Sequence, residues 1–586
     1  MSDVLIADSE TNGFLDTMTK IWTIQIGEVD SDEVVVYADQ PGFPPLREAV
    51  KRLKKAKTVV FHNGMKFDIH AINKIFPGTL KPEQVYDTLV VSRLLDPQNR
   101  KHSLKDLGLK LGVFKGDYEG GFDKFSDEMV VYGRQDIVVG KAIYLDQQKR
   151  MAGWDWSFAV WLENLFAYVI SLQEQNGFLL DTKAAVALAA ELRQEKHDIE
   201  RELQDIFPPI VHERISEKTG KRLKDKVEVF NPGSGKQIAE RLKAKYGWKP
   251  KKFTPSGAPA TDEKVLSALP YEEAKALLRY LRVQKQLGQI EDGDNGWLKL
   301  VTAKNRVHGA VNTIGASTGR CSHFKPNMAQ VDKKDLRMRA VWCARDGWKL
   351  VGCDAEGLEF RMLGHYIAPK DGGQTIDRVL NGKKEDKTDI HSVNQKAAEL
   401  FLRDSAKTAI YAMIYGASDP KLGSTVFDDA REAGKERPKG TAKAHGERLR
   451  KALGKGIPGL DKLIEDVSRK AKKQGWLKGI DGRKIYIKSP HSAFNYLLQG
   501  GGAVVMKLAL VIFHFERLPT LGWEHGVDFG YCVNCHDEVQ SETRPEIAEQ
   551  FGATMADCIR EAGERLGIRC PLAGSCDIGL NWRDTH

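Results

Sequence analysis

Four carboxylates near the amino terminus set the tightest limit on what this 586-residue chain can fold into. Asp8 and Glu10 lie at i and i+2 at the end of the apolar run 4–7, a strand pattern, so both side chains leave on one face. Asp68 opens a helical period in His62-Asn63-Gly-Met-Lys-Phe67-Asp68, and Asp136 closes Tyr132-Gly-Arg-Gln-Asp136 with Tyr132 one helical turn away on the same face. Any one of them alone reads as an ordinary cap or turn residue. Converging, they repel one another unless divalent cations neutralise them. Two Mg²⁺ about 4 Å apart can generate hydroxide and stabilise the leaving oxygen of a phosphodiester.

Composition narrows the rest. The chain is 41% hydrophobic and 29% charged, which excludes wholesale disorder and collagen-like repeats. No run of about 20 consecutive apolar residues is evident, and no basic, apolar leader opens the chain, so a non-membrane, non-exported protein is expected. Eight cysteines without framework spacing predict a reduced compartment and no disulfide. The net charge of +9 is unevenly spread: residues 1–150 carry 21 basic and 22 acidic groups, leaving +10 on the remainder. Residues 241–255 hold six basic groups and no acid, and 431–475 hold 14 basic against six acidic groups. Basic runs interleaved with aromatics fit a polyanion track, and fit a solvated lysine-rich face equally well.

Apolar patterning predicts strands at 4–7, 21–26, 34–37 and 59–61, with helices at 46–56, 68–76, 83–95 and 127–149. That is an α/β domain ending near Arg150. Long amphipathic helices are expected at 183–205 and 262–290, with a short basic insertion at 206–230, and mixed α+β structure from 306 onward.

Three later segments carry chemistry. The first, Gly352-Cys-Asp354-Ala-Glu-Gly-Leu-Glu359-Phe-Arg361, comes after a strand-like run. The second places Arg403, Lys407, Tyr411 and Tyr415 four apart on one helix face, two cations and then two rings. Such a face can hold a triphosphate and stack a base, or can be an exposed helix with half-buried tyrosines. The third, Asn534-Cys-His536-Asp537-Glu538-Val-Gln540, is turn-like at its acidic centre. Asp354 and Asp537, on separate strands, can share two Mg²⁺ at a phosphoryl-transfer centre.

The set Asp-x-Glu, Asn-x₃-Phe-Asp and Tyr-x₃-Asp resembles the three motifs of the DEDDy 3′→5′ exonucleases. The three later segments, in order, resemble motifs A, B and C of family A (DNA polymerase I-like) DNA polymerases, nearest those of short-tailed bacteriophages. The resemblance implies an RNase H-like α/β exonuclease domain over 1–150. It implies a right-hand polymerase over 151–586: thumb about 165–305, palm about 306–390 and 485–586, fingers about 391–484. It implies that Asp8, Glu10, Asp68 and Asp136 bind metal and that Tyr132 orients the attacking water. It implies that Asp354, Asp537 and the Ala355 carbonyl bind the catalytic metals, with Glu538 and His536 near the primer terminus. Arg403, Lys407 and His391 would hold the deoxynucleoside triphosphate, Tyr411 would stack on its base, and Glu359 would exclude a ribose 2′-OH. Tyr411 is expected to admit dideoxynucleotides, and Tyr411→Phe to strengthen discrimination against them. Arg320, Asn327, Gln330, Tyr415, Asn495 and Gln499 would contact primer–template DNA. Magnesium, two ions per site and replaceable by Mn²⁺, is the expected cofactor, and a monomer in the cytoplasm of a bacterial host the expected setting. A replicative helicase or primase is a candidate partner. The host processivity factor of phage relatives is not carried over, because the insertion at 206–230 is short. The chain begins at the exonuclease strand, so the 5′-nuclease of many cellular relatives is not expected.

Some features pull elsewhere. Glu356 shares the strand face of Asp354 by period-2 alternation, either as a third carboxylate or pointing to solvent. Cys532-Val-Asn-Cys535-His536 matches a haem-attachment pattern, and with Cys570 and Cys576 a weak zinc pattern. Asn231-Pro-Gly233-Ser-Gly235-Lys236 is an incomplete P-loop. The rival readings are a single-subunit RNA polymerase, opposed by Glu359 and the exonuclease motifs, and a nuclease whose second part only clamps DNA.

Overall fold

The computed structural model describes residues 3–585. Five strands form the first sheet: β1 (Val4–Thr11), β2 (Ile21–Glu28), β3 (Val34–Tyr37), β4 (Thr58–Phe61) and β5 (Val85–Asp87). Their order is β3-β2-β1-β4-β5, with β1 antiparallel to β2 and parallel to β4. Buried Leu5, Ile24, Val59 and Phe61 seat the sheet on its core, so β1 lies at the centre and carries Asp8 and Glu10 at its far end. Asp68 is the first residue of α1 (Asp68–Ile75), and α2 (Asp127–Met151) crosses β1 and β2. Gly133 permits that approach, because a Cβ there would fall 2.1 Å from Gln25 Nε2. Tyr132 and Asp136 are thereby brought over the sheet.

The helix expected over 83–95 is instead β5 and then a helix at Thr88–Leu95. Asp87 ends the strand and caps the helix, its carboxylate accepting from the Leu89 and Val90 N–H groups, and propensity alone cannot see that switch. The amphipathic helix Thr182–Ile206 forms as expected, whereas 262–290 breaks at Pro270 into Glu263–Leu266 and Glu272–Leu287. Ser234, inside the P-loop look-alike, is the N-cap of a helix at Gly235–Tyr246. The basic insertion is an exposed antiparallel hairpin, Ile210–Ile215 with Arg222–Glu228.

A second sheet organises the remainder: β6 (Lys349–Ala355), β7 (Phe529–Cys535), β8 (Glu538–Thr543) and β9 (Gly574–Gly579), all antiparallel in the order β7-β8-β6-β9. One face packs on the core with Val351, Cys353 and Val539; the other carries Asp354, Glu538, Gln540 and Glu542. The joint between the two parts is α3 (Ser157–Asn176), whose Ala167 enters the first core while Leu162, Leu165 and Phe166 enter the second. Lys66 pairs with Glu174 at 2.6 Å, and His70 Nε2 meets Ser171 Oγ at 2.6 Å across it.

Two sequence expectations are corrected. A helical stretch long and apolar enough to cross a membrane exists at Pro490–Leu521, but 89% of its most apolar window is buried inside the protein. It is a core helix, and Lys507 within it is held by Glu163 at 2.7 Å and by the Thr313 and Gly319 carbonyls at 2.8 Å. The expected absence of disulfides also fails. Cys353 on β6 and Cys576 on β9 are cross-strand neighbours and are joined, although 223 residues apart in sequence. That pairing arises from register and leaves no spacing signature. Cys532 and Cys535 are buried in the apolar cluster around Trp342 and Trp582, and Cys576, the zinc partner the spacing offered, is bound to Cys353 instead.

Candidate active sites

In the first domain, the strand alternation of β1 and the crossing of α2 bring carboxylate oxygens of Asp8, Glu10 and Asp136 within 4.8 Å of one another. Asp68, almost fully buried at the start of α1, stands beside this group and accepts a 2.6 Å hydrogen bond from Ser9 Oγ. Burial, and then the neighbouring carboxylates, push Asp8 well above its ordinary range and Glu10 up to about 8. Burial raises Asp68 to about 7 and lifts Asp136 as well. Carboxylates held this close await positive charge. The oxygen-only donor set suits Mg²⁺ or Mn²⁺, and Asp136 Oδ1 is buried with no hydrogen-bond partner, so these residues fit a divalent cation.

Lys115 is a site residue that no sequence signal marks. Its Nζ lies 2.6 Å from Asp136 Oδ2 and 4.5 Å from the centre of the Tyr132 ring. It arrives on the irregular segment 112–126, where there is neither periodicity nor motif. In this structure it supplies cationic charge to the carboxylate group directly.

The second site forms where β6 ends. Asp354 is the penultimate residue of that strand, and Asp537 lies in the two-residue turn joining β7 to β8 rather than on a strand. His536 takes a left-handed φ of 62° to make the turn, and the Ala355 N–H donates to the Asp537 carbonyl at 3.0 Å, pinning turn to strand end. Glu538 is 3% exposed; its carboxylate accepts from Trp582 Nε1, from Gln540 Nε2 at 2.8 Å and from Arg339 Nη1 at 3.4 Å. It therefore anchors the turn from beneath. Glu356 lies beyond the end of β6, so period-2 alternation no longer governs it; its carboxylate meets Arg361 at 3.2 Å.

Facing the turn are α4 (Leu358–Asp371) and α5 (Arg403–Ile414). The buried residues of α5 are Ser405, Ala406, Ala409, Ile410, Met413 and Ile414, so Arg403, Lys407 and Tyr411 share the open face, as their spacing requires. The helix stops one residue before Tyr415, which caps it. The Tyr415 hydroxyl donates to Glu359 at 2.5 Å, and Arg320 Nη2 donates to the same carboxylate at 3.0 Å. Tyr411 and His391 both stand edge-on to Phe360, with ring centres 5.0 and 4.8 Å from it. Burial, then the charges of Glu359 and Asp537, raise the Tyr411 phenol. Arg403 forks onto Asp389, with Nη2 to Oδ1 at 2.7 Å, and Asp389 caps the helix Ile390–Ala398 that carries His391. Although burial pushes Asp389 upward, Arg403 and Ser392 hold it at about 2. Burial and the Arg403 charge bring His391 down to about 4.

Asn495 and Gln499 sit one turn apart near the start of α6 (Ala493–Ile512), and Asn495 Oδ1 is buried without a hydrogen-bond partner. Asn327 caps and Gln330 ends the single turn Met328–Gln330, both exposed while Met328 between them is buried. The loop bearing Arg320 is fixed by the buried Lys507–Glu163–Arg483 ion group, with Arg483 to Glu163 at 2.7 Å.

Comparison with known proteins gives the family and the fold. Residues 209–584 match the model of DNA polymerase family A, and residues 5–120 match that of the RNase H superfamily. The chain is 31% identical to the DNA-directed DNA polymerase of Enterobacteria phage T3 over 719 aligned positions, covering 100% of both chains. It is likewise 31% identical to that of Escherichia phage T7 over the whole of both chains. DNA polymerase I of Aquifex aeolicus is 25% identical, over 99% of this chain and 96% of that one. Among solved structures, the POL domain of Pol1 from M. smegmatis, in complex with DNA primer-template and dNTP, superposes with a TM-score of 0.76 at 16% identity. That match covers 99% of this chain and 95% of that one. With a family match across most of its length and full-length phage relatives, this chain is a member of DNA polymerase family A that carries an RNase H-like domain at its amino end.

Proposed function

We propose that this polymerase extends a DNA primer on a DNA template at the Asp354–Asp537 site and removes mispaired 3′ ends at the Asp8–Glu10–Asp136 site. Each site would hold two Mg²⁺, within residues 1–150 for removal and 151–586 for synthesis. The observation that carries the reading is the hydrogen bond from the Ala355 N–H to the Asp537 carbonyl, which fixes two carboxylate-bearing elements side by side opposite a basic helix face.

When bound, the divalent cations supply charge neutralisation to the phosphates and lower the pKa of the attacking hydroxyl or water. The chain's own residues do the rest. Asp354, Asp537 and the Ala355 carbonyl offer the metal-binding oxygens. Glu538 acts as a positioning residue, holding the turn that presents Asp537. Lys407 and Arg403 bind the triphosphate of the incoming nucleotide, with Arg403 turning from Asp389, and His391 donates a hydrogen bond beside them. Tyr411 stacks on the base. Glu359, fixed by Tyr415 and Arg320, closes the space that a ribose 2′-OH would need. Arg320, His536, Asn327, Gln330, Asn495 and Gln499 line the path of primer and template. In the first domain, Asp68 completes the carboxylate set, and Tyr132, with Lys115 against its ring, orients the attacking water. The setting that suits these activities is phage DNA replication in the cytoplasm of a bacterial host. Primer extension with Asp354→Asn tests the assignment: extension is lost while 3′-end degradation persists, and retained extension would refute it.

A further inference from the structure

The segment 580–585, which follows β9, lies against the polar face of the second sheet. The Ala344 N–H donates to the Leu580 carbonyl at 3.0 Å, and the Trp582 N–H to the Trp342 carbonyl at 2.8 Å. These bonds set the direction of the segment, and the Trp582 ring is fully buried, its centre 5.8 Å from that of Phe178. Gly352, two residues before Asp354, makes the seat possible. A Cβ there would fall 2.3 Å from the Thr585 carbonyl oxygen and 2.4 Å from Gln540 Nε2.

The segment engages two polar side chains of β8 that stand across from β6. Glu538 pairs with Asp354 in the register of these strands, and Gln540 pairs with Gly352. Both side chains are buried, where a polar atom without a partner is costly. Trp582 Nε1 donates to Glu538 Oε1, and Thr585 Oγ1 donates to Gln540 Oε1 at 2.7 Å. Gln540 Nε2 donates in turn to Glu538 Oε1 at 2.8 Å and to the Thr585 carbonyl at 3.1 Å. Arg339 completes the group, with Nη1 3.4 Å from Glu538 Oε1 and its guanidinium 4.4 Å from the centre of the Trp582 ring. Three donors thus converge on one oxygen of Glu538, and the Gln540 amide is bonded at both ends. An apolar filling of the same volume would cover the sheet equally well and would orient neither side chain.

We propose that Trp582 and Thr585 are positioning residues for synthesis: they hold Glu538 and Gln540 in one orientation, and thereby the turn that sets Asp537 beside Asp354. The link is short, because Glu538 follows Asp537 directly and the Ala355 N–H ties that turn to the end of β6. The proposal rests on the reading of Asp354 and Asp537 as the site of synthesis. It adds the part of the chain that keeps the two carboxylates in register.

The test uses the full chain. Trp582→Phe keeps a ring and removes the N–H, whereas Thr585→Val removes and Thr585→Ser keeps the hydroxyl. Incorporation of one deoxynucleotide on a primed template gives kcat and KM, and 3′-end degradation is measured on the same preparations. Mn²⁺ titration followed by electron paramagnetic resonance, without DNA and in an Asp8→Asn/Glu10→Gln background, reads the second site alone. Trp582→Phe is expected to lower kcat about tenfold, with KM for the nucleotide within about twofold, and to weaken Mn²⁺ binding about tenfold. Thr585→Val is expected to lower kcat about threefold, and Thr585→Ser to match the wild type. Should Trp582→Phe not fold, the two Thr585 variants decide. Unchanged kcat and Mn²⁺ affinity in Trp582→Phe and Thr585→Val would overturn the proposal. So would a loss in Thr585→Ser as large as that in Thr585→Val, or a parallel loss of 3′-end degradation, since lost packing gives either result. Failure of the wild type itself to extend would count against the reading of the synthesis site, and the Mn²⁺ titration would still decide the positioning role.

Discussion

The two carboxylate sites of this chain solve the same electrostatic problem in opposite ways. In the first domain, three carboxylates are crowded within 4.8 Å with a fourth beside them, and Lys115 already offsets part of their charge. In the second, Asp354 and Asp537 are carried on a strand end and a turn, and the cations are on a separate helix, α5, where Arg403 is held by Asp389. The first is assembled around its charge. The second keeps its acids and its cations on separate elements, which the triphosphate of the proposed reaction would join. The difference teaches that a closed site commits its acids to metal and water, whereas an open one must also keep cations for its substrate.

The largest effect expected from this contrast comes from breaking the closed site. Glu10→Gln should cut 3′-end degradation by more than the roughly 100-fold that loss of an outer-shell metal partner costs. Primer extension should be unchanged, as measured on matched and mispaired primers. Equal loss of both activities would mean that the sites are not independent.

The open site is probed next through the ring that supports Glu359. Tyr415→Phe removes a hydrogen bond to a carboxylate, a contact of about 1.5–3 kcal/mol. Discrimination against ribonucleotides should fall about tenfold in single-nucleotide incorporation, with deoxynucleotide incorporation retained. Unchanged discrimination would show that Glu359 is held by Arg320 alone.

A smaller change is expected from the built-in cation. Lys115→Met removes a charge that competes with metal for Asp136, so Mn²⁺ should bind the first domain about fivefold more tightly, equivalent to roughly 1 kcal/mol. Titration read by electron paramagnetic resonance, in an Asp354→Asn/Asp537→Asn background, measures this directly. Weaker binding would show that Lys115 organises the carboxylates rather than competing for them.

The smallest effect is on stability. The folded-state pKa values of about 8 for Glu10 and about 7 for Asp68 lie above those of an unfolded chain, near 4. The folded state therefore holds more protons in this window, and the metal-free domain loses stability as pH rises from about 4 to 8. Melting in chelator should drop by at least about 2 °C between pH 6 and pH 8. Added Mg²⁺ should raise the melting temperature more at pH 8, where the carboxylates are ionised. A melting temperature that rises with pH in chelator would contradict the crowded geometry.

Local chemistry explains which features are legible from residues alone. Strand period pairs Asp8 with Glu10, helix turn pairs Tyr132 with Asp136 and likewise gives the open face of α5, whereas the meeting of Asp136 with Asp8 and Glu10 is legible only through the motif resemblance. The switch at Asp87 from strand to helix is hidden because one carboxylate both ends β5 and caps the helix Thr88–Leu95. Lys115, the Tyr415–Glu359–Arg320 contact and the Cys353–Cys576 pair are hidden because each depends on register or loop path between distant segments. Lys507 interrupts an apolar run in sequence, yet with Glu163 and two carbonyls it holds the Arg320 loop in place.

The central claim is that synthesis and removal occur at separate sites. Asp537→Asn and Asp8→Asn should be compared on one primer–template with a mispaired 3′ end, with shortening and lengthening of the primer resolved on the same gel. The account predicts that Asp537→Asn shortens the primer and never extends it. Asp8→Asn should extend a matched primer normally but leave the mispaired one uncorrected. Loss of both reactions in either variant, or extension by Asp537→Asn, would contradict it.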